Sequence, residues 1–175
     1  MIETEFRKLN TSDEKAYQTF IGEFVSANEK IIPSSIDPKG MAFVDWLDKS
    51  EKEALGLDLP EDRVPADSYF LIRKADGKIL GAINIRHRLN DHLQKRGGHI
   101  GYGVAPSERR KGYAGLMLKQ ALVICRDQLK IDRILITCDK DNIGSNKTII
   151  KSGGILENEA RDDKDNIFCR YWIKL

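Results

Sequence analysis

The chain has 175 residues, of which 41% are hydrophobic and 32% are charged, and its formal net charge is +2. This length and composition predict one globular domain, residues 1–175, with a substantial core. So small a charge gives no reason to expect nucleic acid or an anionic membrane as a partner, and no apolar run approaches the ~18 residues that a membrane-spanning helix needs.

The first part of the chain predicts two helices followed by a long connection. Ile2–Leu9 alternates weakly between apolar and polar residues and is a candidate first strand. Thr11 or Ser12 is expected to cap a helix, because acidic residues and then apolar residues at helical spacing follow. A second helix is predicted over about Lys39–Lys49. The segment Ser50–Val64 contains glycine and proline and is expected to be a long connection.

The middle of the chain is typical of antiparallel strands. Tyr69–Lys74 and Lys78–Arg86 flank an Asp-Gly pair, which is a strong hairpin signal. Leu89–Gly97 is predicted to be a polar connection. Gly98–Val104 is the next predicted strand, and its glycines favour a bulge or a close approach of another backbone.

The last part of the chain alternates helices and strands. A long helix is predicted over Ala114–Leu129, a buried strand over Arg133–Cys138 and a short helix over Asn142–Ser152. Two further strands, Ile155–Arg161 and Ile167–Ile173, close the chain around a polar turn. The whole order combines antiparallel hairpins with one strand–helix–strand crossover, which predicts an α/β protein.

The turn between the middle strand and the long helix is the strongest candidate for a binding site. Pro106 ends the strand, and the basic run Arg109–Lys111 leads to Gly112, where the backbone can approach a ligand closely. The free N–H groups of a helix N-terminus bind anions, so a phosphate or pyrophosphate is the expected guest. The alternative is an ordinary strand-to-helix turn with solvated basic residues.

This turn also resembles a motif of a known family. The spacing Arg109-x-x-Gly112-x-Ala114 is similar to the Arg/Gln-x-x-Gly-x-Gly/Ala motif of the GCN5-related N-acetyltransferases (GNAT family), which holds the pyrophosphate of acetyl-CoA. The segment Asn142–Asn146, followed by a helix that ends in two glycines, resembles the Asn-x-x-Ser segment of members that modify ribosomal proteins. In the family this asparagine lies beside the pantetheine arm. The resemblance covers about residues 69 to 173.

The resemblance implies a fold, a division of the chain and a cofactor. The fold is the α/β acyl-CoA N-acyltransferase fold of the GNAT family, with a central mixed, twisted sheet of about six or seven strands and flanking helices. Residues 1–68 would form the acceptor side and residues 69–175 the cofactor-binding core. The cofactor is acetyl-CoA, and no metal is expected. The implied cofactor-binding residues are Tyr102, Gly103, Val104, Arg109, Arg110, Lys111, Gly112, Tyr113, Ala114, Gly115, Asn142 and Ser145.

The residues that move protons do not carry over from the family. Ile149 stands where many members have a tyrosine proposed to protonate the CoA thiolate, while Gly98 and Thr137 stand where others have a glutamate base. Ser145 occupies the family position of a proposed hydroxyl donor and is the expected catalytic donor. His99 is the best remaining candidate base because its ordinary pKa is near neutrality. An unbulged strand would point it to the wrong face, and a purely structural role in the strand is the alternative.

The resemblance implies acetyl transfer from acetyl-CoA directly to a primary amine of a small molecule or a protein. The alternative is a catalytically weak acyl-CoA-binding sensor or interaction module. The partner would be a small-molecule or peptide amine, and a homodimer is left open. The side chains of Glu23, Glu29, Arg86 and Arg88 are candidates for the acceptor pocket, although surface charge explains each equally well.

The cysteines and the N-terminus predict the compartment. Three widely spaced cysteines without a C-x-x-C pair are expected to be reduced thiols of a cytoplasmic protein. Cys125 and Cys138 lie in apolar patterns and are expected in the core, which favours transfer without an acetyl-cysteine intermediate. The N-terminal residues lack the basic start and apolar stretch of a signal peptide, so none is expected.

Overall fold

The computed structural model describes residues 2–175 and contains seven strands and five helices in that range. None of these helices is both long enough and apolar enough to span a membrane. Short 3₁₀ turns precede α1, α2 and α4. In chain order the elements are β1 Thr4–Arg7, α1 Glu14–Ser26, α2 Phe43–Leu55, β2 Ala66–Arg73, β3 Ile79–Arg86, α3 Asp91–Lys95, β4 Ile100–Val104, α4 Tyr113–Asp127, β5 Arg133–Asp139, α5 Ile143–Lys151, β6 Ile155–Arg161 and β7 Ile167–Lys174.

The strands form two sheets. One has the order β1-β2-β3-β4 and the other the order β5-β7-β6, and every neighbouring pair is antiparallel. A single bridge between Gly98 and Ile136 joins them. The α/β class, the seven strands and the flanking helices are as predicted from sequence, but the expected continuous mixed sheet is divided in two between β4 and β5.

His99 lies at the point where β4 and β5 separate. Its N–H donates to the Leu135 carbonyl at 2.8 Å, and its ring Nδ1 accepts from the Leu135 N–H at 3.0 Å. The imidazole thus accepts from a β5 N–H that a backbone carbonyl could otherwise bond, and only one isolated bridge joins the sheets here. A Cβ on Gly98 would lie 2.2 Å from the same carbonyl, so the close approach predicted at these glycines is present. Within Ile100–Val104 the register with β3 is continuous, so the predicted bulge does not lie in that part of the strand.

The first sheet is covered on both faces, and β3 is buried along nearly its whole length. Aromatic residues of α1 and α2 pack on one face, where each buried side chain contributes about 2–3 kcal/mol. They are Tyr17, Phe20, Phe24, Phe43 and Trp46. Helix α4 covers the other face and also reaches β5 and β7, through Met117, Leu118, Ala121 and Cys125. This helix therefore ties the two sheets together.

The N-terminal elements differ in detail from the sequence prediction. The cap of the first helical turn is Asn10 rather than Thr11 or Ser12. Its side chain accepts from the Ser12 N–H at 2.9 Å, and the Asp13 carboxylate accepts from the Asn10 N–H at 2.8 Å. This reciprocal capping box satisfies two donors that the helix cannot satisfy itself.

Helix α2 is displaced along the chain from its predicted position. It begins at Phe43 rather than Lys39, because Lys39 and Gly40 have φ values of 49° and 84° that no right-handed helix accepts. It continues to Leu55 and ends at Gly56, where φ is 73°. The predicted connection over 50–64 is therefore shorter than expected. The predicted polar connection over 89–97 contains the short helix α3, which Asn90 caps.

Candidate active site

The turn after β4 presents the N-terminus of α4 without a cap. Arg110 and Gly112 have φ values of 62° and 86°, and this left-handed backbone turns the chain into the helix at Tyr113. No side-chain cap bonds the first turn. A helix cannot satisfy its first N–H groups internally, so these donors and the positive end of the helix dipole are available to an anion.

A buried carboxylate holds this turn in place. Glu108 accepts a hydrogen bond from Lys111 at 2.7 Å and lies 3.2 Å from Lys78 and 3.4 Å from Arg73. Lys111 first, and then Lys78, lower the pKa of Glu108. Lys111 was expected to bind the cofactor, but it is committed to Glu108 and does not line the cavity described next.

A cavity of about 580 Å³ lies between this turn, β4 and α5. All the cofactor-binding residues expected from sequence line it except Lys111. The further lining residues, which the sequence analysis did not assign to the cofactor, are Phe24, Glu29, Ile32, Glu108, Gly144, Lys147 and Thr148. A wider groove of about 740 Å³ adjoins it between α4 and α5 and shares Gly112, Gly115 and Thr148 with it, but that groove lacks Tyr102 and Ser145.

The backbone of β4 points polar groups into the gap between the sheets. Arg86 donates its N–H to the His99 carbonyl at 2.8 Å, which fixes the alternation of the antiparallel β3–β4 pair. The N–H and C=O groups of Tyr102 and Val104 therefore face away from β3. They face the side on which β5 has separated, and they are the main-chain groups available to a ligand there.

Two hydroxyl groups meet beside this backbone. The Tyr102 Oη lies 2.8 Å from the Ser145 Oγ, and burial raises the pKa of Tyr102 to about 12. Ser145 is held by the cap of α5, because its N–H donates to the Asn142 side chain at 3.1 Å. Asn146 in turn anchors α5 by accepting from the Tyr171 hydroxyl at 2.6 Å. The sequence analysis assigned Tyr102 to cofactor binding and did not foresee that its hydroxyl meets Ser145.

The structure does not bring His99 to this cavity. The side chain is 7% exposed, and its Nδ1 already accepts from the Leu135 N–H. Burial, with a smaller contribution from the Arg86 charge, lowers the pKa of His99 to about 4. Thr137, at a family position for a base, has a hydroxyl that accepts from the Gly97 N–H at 3.0 Å. Both groups are occupied in holding the junction between the sheets.

The carboxylates considered for the acceptor pocket have other partners. Glu29 lines the cavity, where it accepts two hydrogen bonds from the Arg109 guanidinium at 2.9 and 2.5 Å, and this pairing lowers the pKa of Glu29. Glu23 accepts from the Ser107 N–H at 3.1 Å and pairs with Lys78 at 3.1 Å. Glu23 therefore connects α1 to the turn, and Glu29 pairs with the Arg109 guanidinium.

The three cysteines are free thiols, and none lines the cavity. Burial raises the pKa of Cys125 to about 12 and that of Cys138 to about 11, so both are protonated at neutral pH. Within residues 2–175, no cluster of His, Cys, Asp and Glu side chains is arranged to hold a metal ion.

Comparison with known proteins relates this architecture to one family. The family model described as "Acetyltransferase (GNAT) domain" matches residues 5–155. An uncharacterized N-acetyltransferase of Bacillus subtilis (strain 168), YjdG, is 29% identical over 102 residues, which are 58% of this chain and 59% of the relative. The match thus spans about three-fifths of the length of that curated relative.

Solved structures share the fold at low sequence identity. The ribosomal-protein-S5-alanine acetyltransferase from Vibrio fischeri has a TM-score of 0.74 and 16% identity, over 99% of this chain and 94% of its own. The acetyltransferase yncA from Salmonella typhimurium, solved with its cofactor acetyl-CoA, has a TM-score of 0.65 and 12% identity, over 98% and 94% of the two chains.

Proposed function

Because the chain belongs to the GNAT acetyltransferase family, we propose that it moves the acetyl group of acetyl-CoA directly to a primary amine of a small molecule or peptide. The observation that carries the proposal is one cavity that combines an uncapped helix N-terminus with the Tyr102–Ser145 hydroxyl pair. Within this proposal, residues 1–68 supply the acceptor side and residues 69–175 the cofactor side.

The residues around α4 suit the diphosphate of CoA. The first N–H groups of α4 are free, and Arg109 and Arg110 add positive charge. A Cβ built on Gly112 or Gly115 meets nothing within 4 Å. A diphosphate can therefore approach this backbone without a steric obstacle. The structure of yncA with acetyl-CoA shows that a protein of similar fold accepts this molecule.

The β4 backbone and the two hydroxyls suit acyl transfer. When bound, acetyl-CoA supplies an activated thioester; attack by the amine forms a C–N bond and breaks the C–S bond. The outward N–H groups of Tyr102 and Val104 are the donors for negative charge that develops on the carbonyl oxygen. Ser145, supported by Tyr102, donates a hydrogen bond or proton to the leaving sulfur.

The described chain offers no suitable base in this cavity. Its carboxylates, Glu29 and Glu108, are paired with cations that lower their pKa, and His99 lies elsewhere. We propose that the amine arrives in its neutral form and that its proton passes to water. Holding the amine beside the thioester then supplies much of the acceleration.

The decisive experiment measures thiol release from acetyl-CoA with a panel of amines. Turnover supports the transferase, whereas cofactor binding without turnover by any amine would favour the acyl-CoA sensor. Binding is measured independently as a rise in melting temperature, since a ligand specific to the folded state stabilises it by about 2.7 kcal/mol at a concentration of 100 Kd.

Direct transfer is tested separately with a cysteine-free variant. We expect it to retain activity, because burial raises the pKa of the Cys125 and Cys138 thiols and keeps both protonated at neutral pH. Mass spectrometry of the wild-type protein after exposure to acetyl-CoA alone should show no stable acetyl adduct. An adduct, together with loss of activity in a folded cysteine-free protein, would contradict direct transfer.

A further inference from the structure

A second cavity, of about 300 Å³, lies on the side of the first sheet that α2 covers. Helices α2 and α3, strand β3 and the connection after α2 enclose it, and its lining is largely polar and charged. The polar and charged side chains that matter are Glu53, Asp62, Arg63, Asn84, Arg86 and His92.

The second cavity adjoins the proposed reaction site. Ile32 lines the cofactor cavity and Ser34 lines the second cavity, so the same short segment separates the two. The Arg86 Nη2 lies 3.7 Å from the point at which Gly101 would carry a Cβ. Gly101 directly precedes Tyr102, so a ligand held at Arg86 lies close to the β4 backbone.

Arg86 brings a positive charge into this cavity without a carboxylate partner. Its Nη1 donates to the carbonyls of Gly97 and Gly98 at 3.2 and 2.9 Å. Among residues 2–175 no acidic side chain lies within ion-pair distance of Arg86. Burial, and then the like charge of Arg63, lower the pKa of Arg86 to about 10. A guanidinium in such surroundings costs free energy unless an anion compensates it.

The hydrogen bonds to the Gly97 and Gly98 carbonyls involve only one nitrogen of the Arg86 guanidinium. Both are made by Nη1, while Nη2 faces Gly101 and the segment before Ser34. A guanidinium offers donors in a planar fork that matches a carboxylate. Securing the turn before β4 therefore leaves Nη2 without a hydrogen-bond partner among residues 2–175, on a side chain that lines the second cavity.

We propose that the amine acceptor carries a carboxylate, which Arg86 and Arg63 bind in this second cavity. The inference rests on the proposed acetyl transfer. A singly charged carboxylate suits the lining better than a dianionic phosphate, because Glu53 and Asp62 lie in the same wall and repel further negative charge. The small volume and the short distance from Arg86 to β4 favour a compact amino acid.

The test compares acceptors in matched pairs. Each free amino acid of a panel is assayed beside its primary carboxamide, which keeps the amine and removes the carboxylate charge. Thiol release gives kcat and KM, and calorimetric titration of the CoA-saturated protein with the same compounds gives binding without turnover. We expect at least one amino acid to exceed its carboxamide about tenfold or more in kcat/KM, as expected for hydrogen bonds to a charged group.

Variants assign that preference to the two arginines. Arg86→Gln should raise KM for the preferred amino acid about tenfold or more. Arg63→Gln, at an exposed side chain whose loss does not threaten folding, should raise it about threefold. Neither variant should change KM for the carboxamide or the melting-temperature rise with acetyl-CoA. Arg161→Gln, at an exposed side chain at the end of β6 that lines neither cavity, is the matched control and should change nothing.

Each outcome decides the inference. Equal use of amino acids and carboxamides by the wild type would overturn the carboxylate assignment and leave acetyl transfer standing. A preference that survives both arginine variants would also overturn it. If no amine releases thiol, the proposed function fails, and the calorimetric titration alone tests the carboxylate site. Tighter binding of an amino acid than of its carboxamide, weakened by Arg63→Gln, supports the site. Equal binding of the two compounds, or no binding, refutes it.

Discussion

The Tyr102–Ser145 contact is the residue-scale feature most directly tied to chemistry. Ser145→Ala should lower kcat about tenfold or more, because it removes the hydroxyl nearest the proposed leaving sulfur. Tyr102→Phe should lower kcat less, since Ser145 retains its own hydroxyl. The double variant should cost less than the product of the two single effects, because the two groups act as one unit.

A second serine in the same helix provides the control. Ser152 ends α5, donates its hydroxyl to the Thr148 carbonyl and does not line the cofactor cavity. Ser152→Ala should leave kcat unchanged. A loss below about threefold in Ser145→Ala, under ~1 kcal/mol of transition-state stabilisation, would remove Ser145 from the mechanism.

His99 gives the protein a specific acid sensitivity. The unfolded chain protonates this ring below its ordinary pKa of 6.5, whereas the folded protein does so only below about 4. Stability is therefore complete above pH 6.5 and falls as the pH drops towards 4, by about 3 kcal/mol at most. His99→Asn can still accept from the Leu135 N–H but cannot titrate, so denaturant unfolding should show a weaker acid loss in this range than for wild type.

The same variant tests the catalytic hypothesis for His99. Because the ring lies outside the cofactor cavity, His99→Asn should keep the acidic limb of the kcat/KM profile. Loss of that limb in a variant with an unchanged melting temperature would restore His99 as the base.

At the scale of elements, the N-terminus of α4 is the proposed phosphate site. Gly115 has an ordinary helical backbone and open space where a Cβ would lie. Gly115→Val should therefore fold, yet place two methyl groups where the diphosphate approaches, and abolish the melting-temperature rise with acetyl-CoA. Gly22→Val in α1 is the matched control, since Gly22 also has open space and does not line this cavity. An undiminished rise in Gly115→Val would place the diphosphate elsewhere.

The contact between Glu29, which follows α1, and Arg109 in the turn before α4 predicts a gain in affinity. Glu29 holds the Arg109 guanidinium by two hydrogen bonds, so a diphosphate competes with a carboxylate for that cation. Glu29→Gln should lower the Kd for acetyl-CoA about two- to fivefold, in keeping with the modest strength of exposed ion pairs. Calorimetry at low ionic strength measures the effect, which should shrink in high salt. Weaker binding would show that Glu29 instead orients Arg109.

The elements also show which features a sequence can predict. The order of β4, turn and α4 follows from local signals, such as Pro106 and Gly112, and the GNAT family match confirms the resemblance drawn from them. The start of α2 is later than predicted because Lys39 and Gly40 adopt a left-handed backbone, although Asp37-Pro38-Lys39-Gly40 carries a local turn signal. Tyr102 and Ser145 lie 43 residues apart. Their meeting depends on how β4 and β5 separate, which no local pattern encodes.

At the scale of the whole molecule, the proposed lack of a cavity base predicts a pH profile set by the acceptor. The logarithm of kcat/KM should rise with pH with a slope of about one until the pKa of the acceptor amine is reached. Replacing the acceptor by an analogue of lower amine pKa should shift the rising part of the kcat/KM profile to lower pH by the difference between the two amine pKa values. A limb that stays in place for amines of different pKa would reveal a protein base.

The junction at Leu135 stands at the edge of the gap between the sheets, and this suggests an unusual route to inactivation. There an imidazole satisfies a donor that could otherwise pair with a backbone carbonyl of the neighbouring strand. A substitution that removed this acceptor, such as His99→Val, would leave the Leu135 N–H in need of a carbonyl, and the neighbouring strand could supply one. Such a protein would gain strand pairing and lose its catalytic cleft. Selection for thermal stability alone would then favour variants in which the two sheets have paired and the cleft has closed.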